Sequence, residues 1–483
     1  MKKYMAILLA FVLVLGLCGC GEKAENAETK PLNLDLDEFS VGYARIDITP
    51  ANSVPMAGYG ATSKRMSQNV IDYLFATSVA INDGQGNTVV FLTVDLQRAS
   101  DVLVQYIRPE LAKQTGLPES AFHMTGTHTH SGPDVQSTNE YAIAYRDMIM
   151  PKLVEVVMAS LQDLQPATMH IGTIETERMN FVRHYVYENE EGETIYAGDN
   201  HNVVQINDTT KHVSEADPTM FVMKFDREDA KDVCLINWRA HPHWTGGISK
   251  YDISSDYIGP FRETFELETD CLFAYYQGAA GNINEKSRIT AENRVRDNKA
   301  YGALLTSYAV KCMNENLKEV PTGAIQVQER TLDLTVNKTT DTGLYYAAKN
   351  VQAVFSATAD KNMALASAGE YTIYSPYHAA AIVNNYHRGN TEQRTYSVVT
   401  IGQEVAITLA THEMFDSLMA TVEENSPYRY TMHFSYSNGS NTYIADEKTW
   451  DYGAYETDTA VFVRGTGETI RDTFIHMLKE MHG

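Results

Sequence analysis

Along this chain the apolar positions recur with two different periods. Thr77 to Asn82 and Met220 to Phe225 alternate apolar with polar residues, whereas TVVFLTVD at Thr88 to Asp95 is almost continuously apolar and β-branched. Val233 to Trp238, Cys271 to Tyr276, Tyr396 to Ile401 and Val405 to Leu409 resemble these runs, and all seven segments predict strands of well-buried sheets. Val102 to Thr115, Tyr141 to Leu164, Ile258 to Glu268 and Asn293 to Met313 instead space their apolar residues by three and four, which predicts helices. Strands interleaved with helices indicate a mixed α/β fold, a large single domain of buried sheets flanked by helices. The Asp83-Gly84-Gln85-Gly86-Asn87 cluster predicts a hairpin loop, and Glu191-Gly192 and Asn438-Gly439 predict turns.

The N-terminus departs from this pattern. Lys2 and Lys3 precede an almost unbroken apolar run of thirteen residues, Met5 to Leu17. That is shorter than the roughly 20 residues a membrane-spanning helix needs, so it predicts a cleaved export signal. The run ends in Leu17-Cys18-Gly19-Cys20, the pattern of a bacterial lipoprotein lipobox, with Cys20 as the lipid-bearing residue; the alternative is an ordinary secretory signal with two incidental cysteines. Gly21 to Asp37 is polar and too poor in large apolar residues to fold alone. The expected organisation is therefore a signal over 1–20, a flexible tether over 21–38 and a catalytic-type domain over 39–483, held extracytoplasmically at the bacterial cell membrane through lipid on Cys20. Apart from the anchor, only Cys234, Cys271 and Cys312 remain, too few for a disulfide scaffold though enough for one bridge. A large apolar core must do the stabilising, and 43% hydrophobic residues can supply it. The formal charge of −23 argues against nucleic acid as a partner, because phosphate recognition rests on Lys and Arg. Oligomeric state is not encoded in any of these features.

Three segments at predicted strand exits carry candidate chemistry. In GTHTHSGPD, Gly126 to Asp134, a strand-like stretch from Ala121 to Thr125 leads into His128-Thr129-His130. In an extended segment alternate side chains share a face, so both imidazoles can meet one site, one as metal ligand and the other as acid or base. NWRAHPHWTG, Asn237 to Gly246, places His241 and His243 at the end of another apolar strand. VAITLATHEMF, Val405 to Phe415, ends a third in His412-Glu413, and a carboxylate beside two histidines makes a natural zinc ligand set.

The order of these segments resembles the neutral/alkaline ceramidase family. GYARIDITP (Gly42 to Pro50) and MAGYG (Met56 to Gly60) precede them, YQGAAG (Tyr276 to Gly281) falls between, and SNGSNTYIADEKTWDYGAYE (Ser437 to Glu456) follows. The resemblance implies one zinc ion per chain held by His128, His241, Glu413 and Tyr443. It implies His130 as the acid/base, Tyr455 as a second site tyrosine and Arg183 as the arginine facing the scissile carbonyl. His243 and His412 have no counterpart in the family pattern and are expected to be structural. A small lipid-like or N-acylated substrate is implied, cleaved as an amide.

Two departures bear on the substrate. Where the family has Gly-Asp-Val-Ser-Pro-Asn, this chain has Gly281-Asn282-Ile283-Asn284-Glu285-Lys286, so Asn284 stands in place of a site serine, cannot be a nucleophile and is expected to position substrate. His184-Tyr185 likewise stands in place of a serine-proline pair. The chain closes soon after a helix-like stretch, Glu468 to Met481, so the C-terminal β-sandwich of ceramidases is expected to be missing. The alternatives to a ceramidase-like amidase are a metal-dependent esterase or other amidase, and a non-catalytic substrate-binding lipoprotein on the same scaffold.

Overall fold

Strands β3 (Thr88–Val94), β7 (Val233–Trp238) and β11 (Val405–Leu409) bury every residue they contain. Such strands need cover on both faces, and the architecture supplies it. The computed structural model describes residues 32–59, 65–198, 201, 204–439 and 442–483, so Cys20, the expected signal and 21–31 of the tether lie outside the described residues. Residues 33–483 pack as one unit.

The larger sheet runs β8-β7-β6-β5-β1-β2-β3-β4, with β1 Ser40–Asp47, β2 Phe75–Asn82, β4 Phe122–Gly126, β5 Gln165–Glu175, β6 Thr219–Arg227 and β8 Leu272–Gln277; Lys318–Glu319 also pairs with β5. The second sheet runs β9-β10-β11-β12, adding β9 Ile325–Thr335, β10 Thr391–Ile401 and β12 Tyr430–Phe434. The two sheets pack face to face over one core, to which Val41, Val79, Phe91 and Leu235 contribute from the first and Val399, Ile407 and Phe434 from the second. Helices Ile258–Thr269 and Asn298–Glu315 cover part of the outer face of the larger sheet through Phe261, Phe265, Leu305 and Ala309. Helices Asp416–Glu424 and Thr466–His482 cover the second sheet through Leu418, Met419, Phe474 and Met477. The result is the mixed α/β fold, sheets flanked by helices, that the periodicity predicts. Each fully buried aliphatic or aromatic side chain adds about 1.5–3 kcal/mol of transfer free energy.

The expected hairpin between β2 and β3 is present, and Asp83 accepts from Gln85 and Asn87 within it. The helix expected from Asn293 begins instead at Asn298, where Asp297 caps the amide of Ala300 at 2.9 Å. Three helices, Thr342–Thr358, Lys361–Ala366 and Pro376–Tyr386, surround a small core of their own around Ala348, Val351 and Ala379. Among the described residues no helix is long and apolar enough to cross a membrane.

What matters for function is where the parallel strand pairs end. β3/β4, β7/β8 and β11/β12 are all parallel. Their C-terminal ends are tied across the two sheets: Gly126 N–H donates to Tyr436 O at 3.2 Å, Thr125 and Ser437 hydroxyls meet at 2.8 Å, and Ser435 N–H donates to Gln277 O at 3.0 Å. The loops leaving these ends carry the three histidine- and glutamate-bearing motifs.

Candidate metal centre

The strand before the first histidine pair ends at Gly126, one residue later than its predicted limit, and His128 has φ of 70°. That left-handed conformation is uncommon outside glycine and persists only where surrounding bonds over-determine it. Here Thr127 N–H donates to Val94 O, His128 N–H to Leu96 O at 3.0 Å and the His128 ring Nδ1–H to Gln97 O at 2.8 Å. The two imidazoles therefore meet through a turn and not through strand alternation, which corrects the reason for expecting them together. Their Nε2 atoms lie 3.2 Å apart.

His130 is packed from behind by the MAGYG segment. Gly58, at φ 108°, lies so close that a Cβ there would sit 2.8 Å from the Cα, Cβ and Cγ of His130. Arg65 donates to Ala57 O at 2.6 Å and to His130 O at 2.8 Å. Gly60 of that motif is outside the described residues.

His241 leaves β7 and is held twice by one carbonyl, its backbone N–H and its ring Nδ1–H both donating to Ile283 O at 3.0 Å. Glu413 does not end β11, as expected, but starts a separate short strand, Glu413–Met414, paired in parallel with Tyr443–Ile444. Gly281, the last residue of YQGAAG, donates to Met414 O at 2.9 Å, and a Cβ on it would fall 2.4 Å from Glu413 O. That close approach is what the glycine permits.

These loops bring one carboxylate oxygen, Glu413 Oε2, to 3.2 Å from both His128 Nε2 and His241 Nε2. Ligand atoms about 2.0–2.2 Å from a tetrahedral zinc lie about 3.3 Å from one another, so the spacing fits a metal. His130 belongs to the same cluster: ring nitrogens of His128, His130 and His241 all fall within 4.8 Å of one another. The outer nitrogens of His128 and His241 donate to backbone carbonyls, the arrangement that fixes metal-binding histidines. Burial alone would raise the Glu413 carboxyl, yet the His128 and His241 rings hold it well below the ordinary value. Burial, then the charge of Arg183, pushes His241 down to about 4. Burial, followed by His128 and His241, likewise lowers His130.

Tyr443 stands beside Glu413 through the strand pairing, and its buried hydroxyl is driven well above its ordinary value by burial and then by Glu413. The Arg183 guanidinium lies over the Tyr443 ring at 5.3 Å, and Tyr455 packs against that ring at 5.6 Å. Arg183 Nε donates to Glu456 at 2.6 Å, and the other Glu456 oxygen meets His184 Nε2 at 2.9 Å. Burial opposes ionisation of Glu456, but Arg183 and His184 bring it down to about 2. Asn284 forms a parallel bridge with His241 and pairs with Phe181; its Oδ1 is buried with no hydrogen-bond partner among the described residues.

Two histidines expected to be structural part company. His412 turns away from the site, receiving or giving a hydrogen bond at 2.7 Å with Tyr396 and packing on Phe462. His243 instead enters the cluster, its ring edge-on to His130 at 4.2 Å and stacked on His241 at 4.6 Å. Sequence reasoning also passed over Tyr436, stacked on His128 at 4.0 Å, and the Glu456 carboxylate that braces Arg183. Cys234, Cys271 and Cys312 are buried free thiols, so the single bridge left open is not formed.

Residues 39–272 match the family described as neutral/alkaline non-lysosomal ceramidase, N-terminal. Neutral ceramidase 2 of Arabidopsis thaliana is 33% identical over 98 residues, 20% of this chain and 13% of the relative. Neutral ceramidase 1 of the same plant is 23% identical over 219 residues, 42% of this chain and 26% of the relative, so the chain matches about a quarter or less of these relatives' length. The neutral ceramidase from Pseudomonas aeruginosa superposes with a TM-score of 0.68 at 16% identity, covering 92% of this chain and 74% of that one. A ceramidase complexed with C2 gives 0.66 at 16% identity over 92% and 75%. Sequence similarity to the neutral/alkaline ceramidase family thus runs through residues 39–272, and the fold is shared with the two ceramidase structures through nearly the whole chain.

Proposed function

We propose that this protein is a zinc-dependent amidohydrolase that cleaves ceramide or a related N-acylated amine outside the cytoplasm, anchored to the membrane through lipid on Cys20. The observation that carries the reading is the convergence of His128 Nε2, His241 Nε2 and Glu413 Oε2 at 3.2 Å, with the outer ring nitrogens already bound to backbone carbonyls.

Zinc bound there would supply a Lewis acid for the carbonyl and a water whose pKa falls to about 7. His128, His241 and Glu413 would hold it, with Tyr443 as the fourth ligand carried over from the family. His130 differs from the two histidine ligands in one respect: its Nδ1 has no hydrogen-bond partner among the described residues. A ring not pinned at its outer nitrogen is free to accept a proton from water and deliver it to the departing amine, a contribution of typically about 10²–10⁴-fold. Arg183, braced by Glu456, directs cationic charge over Tyr443, and with Tyr455 it would stabilise charge growing on the carbonyl oxygen.

Asn284, bridged to the His241 backbone, puts a carboxamide where the family has a hydroxyl, and that exchange supports a related acylated amine as an alternative to ceramide itself. A soluble form beginning after Cys20 tests the reading with fluorescent ceramide, N-acyl amino acids and simple esters, each with and without chelator. Amide hydrolysis abolished by chelator is expected. Ester cleavage alone would move the assignment to an esterase, and ligand retention without turnover, unaffected by chelator, would refute a hydrolase. Metabolic labelling with a fatty acid tests the anchor, and an unlabelled mature protein would refute it.

A further inference from the structure

The loop that leaves β3 carries an arginine to which the hydrolytic reading gives no role. Arg98 lies against the turn of the first histidine ligand: a Cβ on Gly126 would sit 2.8 Å from its Cα, and the carbonyl before it, Gln97 O, is the one that accepts from His128 Nδ1–H. Its half-buried side chain is held from two directions, Nη2 donating to Gln97 Oε1 at 2.7 Å and Nη1 to Gln136 Oε1 at 2.6 Å. Both acceptors are neutral carboxamides, and among the described residues no carboxylate forms an ion pair with Arg98.

Arg183 provides the contrast, because there the Glu456 carboxylate answers the charge at 2.6 Å. The charge of Arg98 has no such partner, yet it reaches the metal centre. Burial lowers the guanidinium, and against burial act the charges of Glu413 first, then Asp134, Tyr443 and Asp101. Arginine stays protonated throughout the working pH range, so this cation is permanent. Holding it half-buried on two amides forfeits solvation that no fixed anion returns. The two bonds leave further N–H donors of the planar fork, and that fork matches a carboxylate in both charge and shape. On a chain of formal charge −23, which repels anions at long range, it supplies a local attraction beside the ligands.

We propose that Arg98 is a substrate-binding residue that takes a carboxylate, so that the amides accepted at this centre are anionic ones, carrying an acidic group a short distance from the scissile bond. The substrate class rests on the amidohydrolase reading, but the anion site at Arg98 does not.

Binding and turnover separate the two. Calorimetry on the zinc-loaded soluble form uses a γ-keto fatty acid and the same ketone lacking the carboxylate. Carbon stands in these probes where an amide has nitrogen, so neither can be cleaved, and the keto acid mimics a carboxylate on either side of the bond. The keto acid is expected to bind about ten- to a hundredfold more tightly, the worth of a charge-assisted contact, with the preference shrinking as salt is raised. Arg98→Met should erase the preference, and Arg98→Lys, which keeps the charge without the fork, should restore part of it. Arg98→Gln serves the same comparison if Arg98→Met does not fold. Equal affinity for the two ketones in the unaltered protein, a preference that survives Arg98→Met, or a loss that falls equally on both probes would overturn the proposal. Turnover of N-octanoylglycine and of the octylamide of succinic acid, each against its uncarboxylated counterpart, then shows by an Arg98-dependent KM which side of the bond bears the acid. Cleavage of no amide, with keto-acid binding intact, would sink the amidohydrolase reading and leave the anion site standing. Cleavage without any preference that depends on Arg98 would overturn the anion site and leave the hydrolase.

Discussion

Replacing Glu456 with Gln removes the carboxylate that Arg183 and His184 share at 2.6 and 2.9 Å, in a place where the carboxylate side chain is 1% exposed. The magnitude follows from ionisation. The carboxyl is held at about 2 in the folded chain against an ordinary 4.5, and at 1.36 kcal/mol per pH unit that difference amounts to about 3 kcal/mol of stability. Breaking a buried pair by removing one partner costs a similar amount, about 3–5 kcal/mol, because the remaining charge is stranded. The sign is that of a depressed acid: the stabilisation is fully present above pH 4.5 and is lost as the pH falls from there towards 2. Urea unfolding of the soluble, metal-free form should therefore show Glu456→Gln less stable by about 3 kcal/mol at pH 7. By pH 3.5 the gap should have narrowed by about 1.4 kcal/mol, since the unfolded carboxyl is by then mostly protonated and the folded one is not. A gap below about 1 kcal/mol at pH 7, or one that does not change between pH 7 and 3.5, would refute the view that Glu456 is an ionised brace.

Three further outcomes are expected. His128→Ala and Glu413→Gln should each lower bound metal from one ion per chain towards none, read by elemental analysis after dialysis, whereas the uncoupled His412→Phe should retain the ion and lose only about 1–2 kcal/mol in urea unfolding with its Tyr396 hydrogen bond. Gly281→Ala forces a Cβ to 2.4 Å from Glu413 O, so thermal unfolding should register about 1–3 kcal/mol of overpacking, and metal affinity should fall with it; unchanged affinity would show that Glu413 is not held by this contact. Chelator should lower the melting temperature of the metal-loaded protein without unfolding it at 25 °C, followed by near-UV circular dichroism, because backbone bonds and not the ion hold the ligand loops.

The strands that were legible in the sequence are those buried on both faces. Val233–Trp238 and Val405–Leu409 are apolar at nearly every position because sheet lies on one side and helices on the other, and their limits agree with the structure. Ser40–Asp47 and Gln165–Glu175 were not legible: each mixes buried and half-exposed positions, and Gln165, Pro166 and Thr168 carry no apolar period. The small helices from Thr342 to Tyr386 escaped because they bury mainly alanine and a few aliphatic residues against one another, too weak a stripe to stand out. In the site, motif order brought His128, His130, His241 and Glu413 together on paper, and these four do converge. Pairing across long separations was invisible. Glu456 is 273 residues from Arg183, so that partnership leaves no local pattern.

The convergence has a structural cause that the motifs do not state. Three parallel strand pairs end at the same edge of the two packed sheets, and parallel pairing obliges the chain to leave both strands of a pair at that edge. Loops so gathered would ordinarily be loose, but here each is stitched to a neighbour: His128 to Gln97, His241 to Ile283, Gly281 to Met414, Arg183 N–H to Asn282 O at 2.9 Å. The left-handed His128 is the cost of this stitching, about 1–3 kcal/mol for a residue held in a sparsely populated conformation. It is offset by aiming Nε2 at Glu413 before any ion arrives. Around these stitched loops, Asn284 bridges the backbone of His241 and His243 stacks on its ring at 4.6 Å, so two positions that depart from the family pattern lie directly against a candidate ligand.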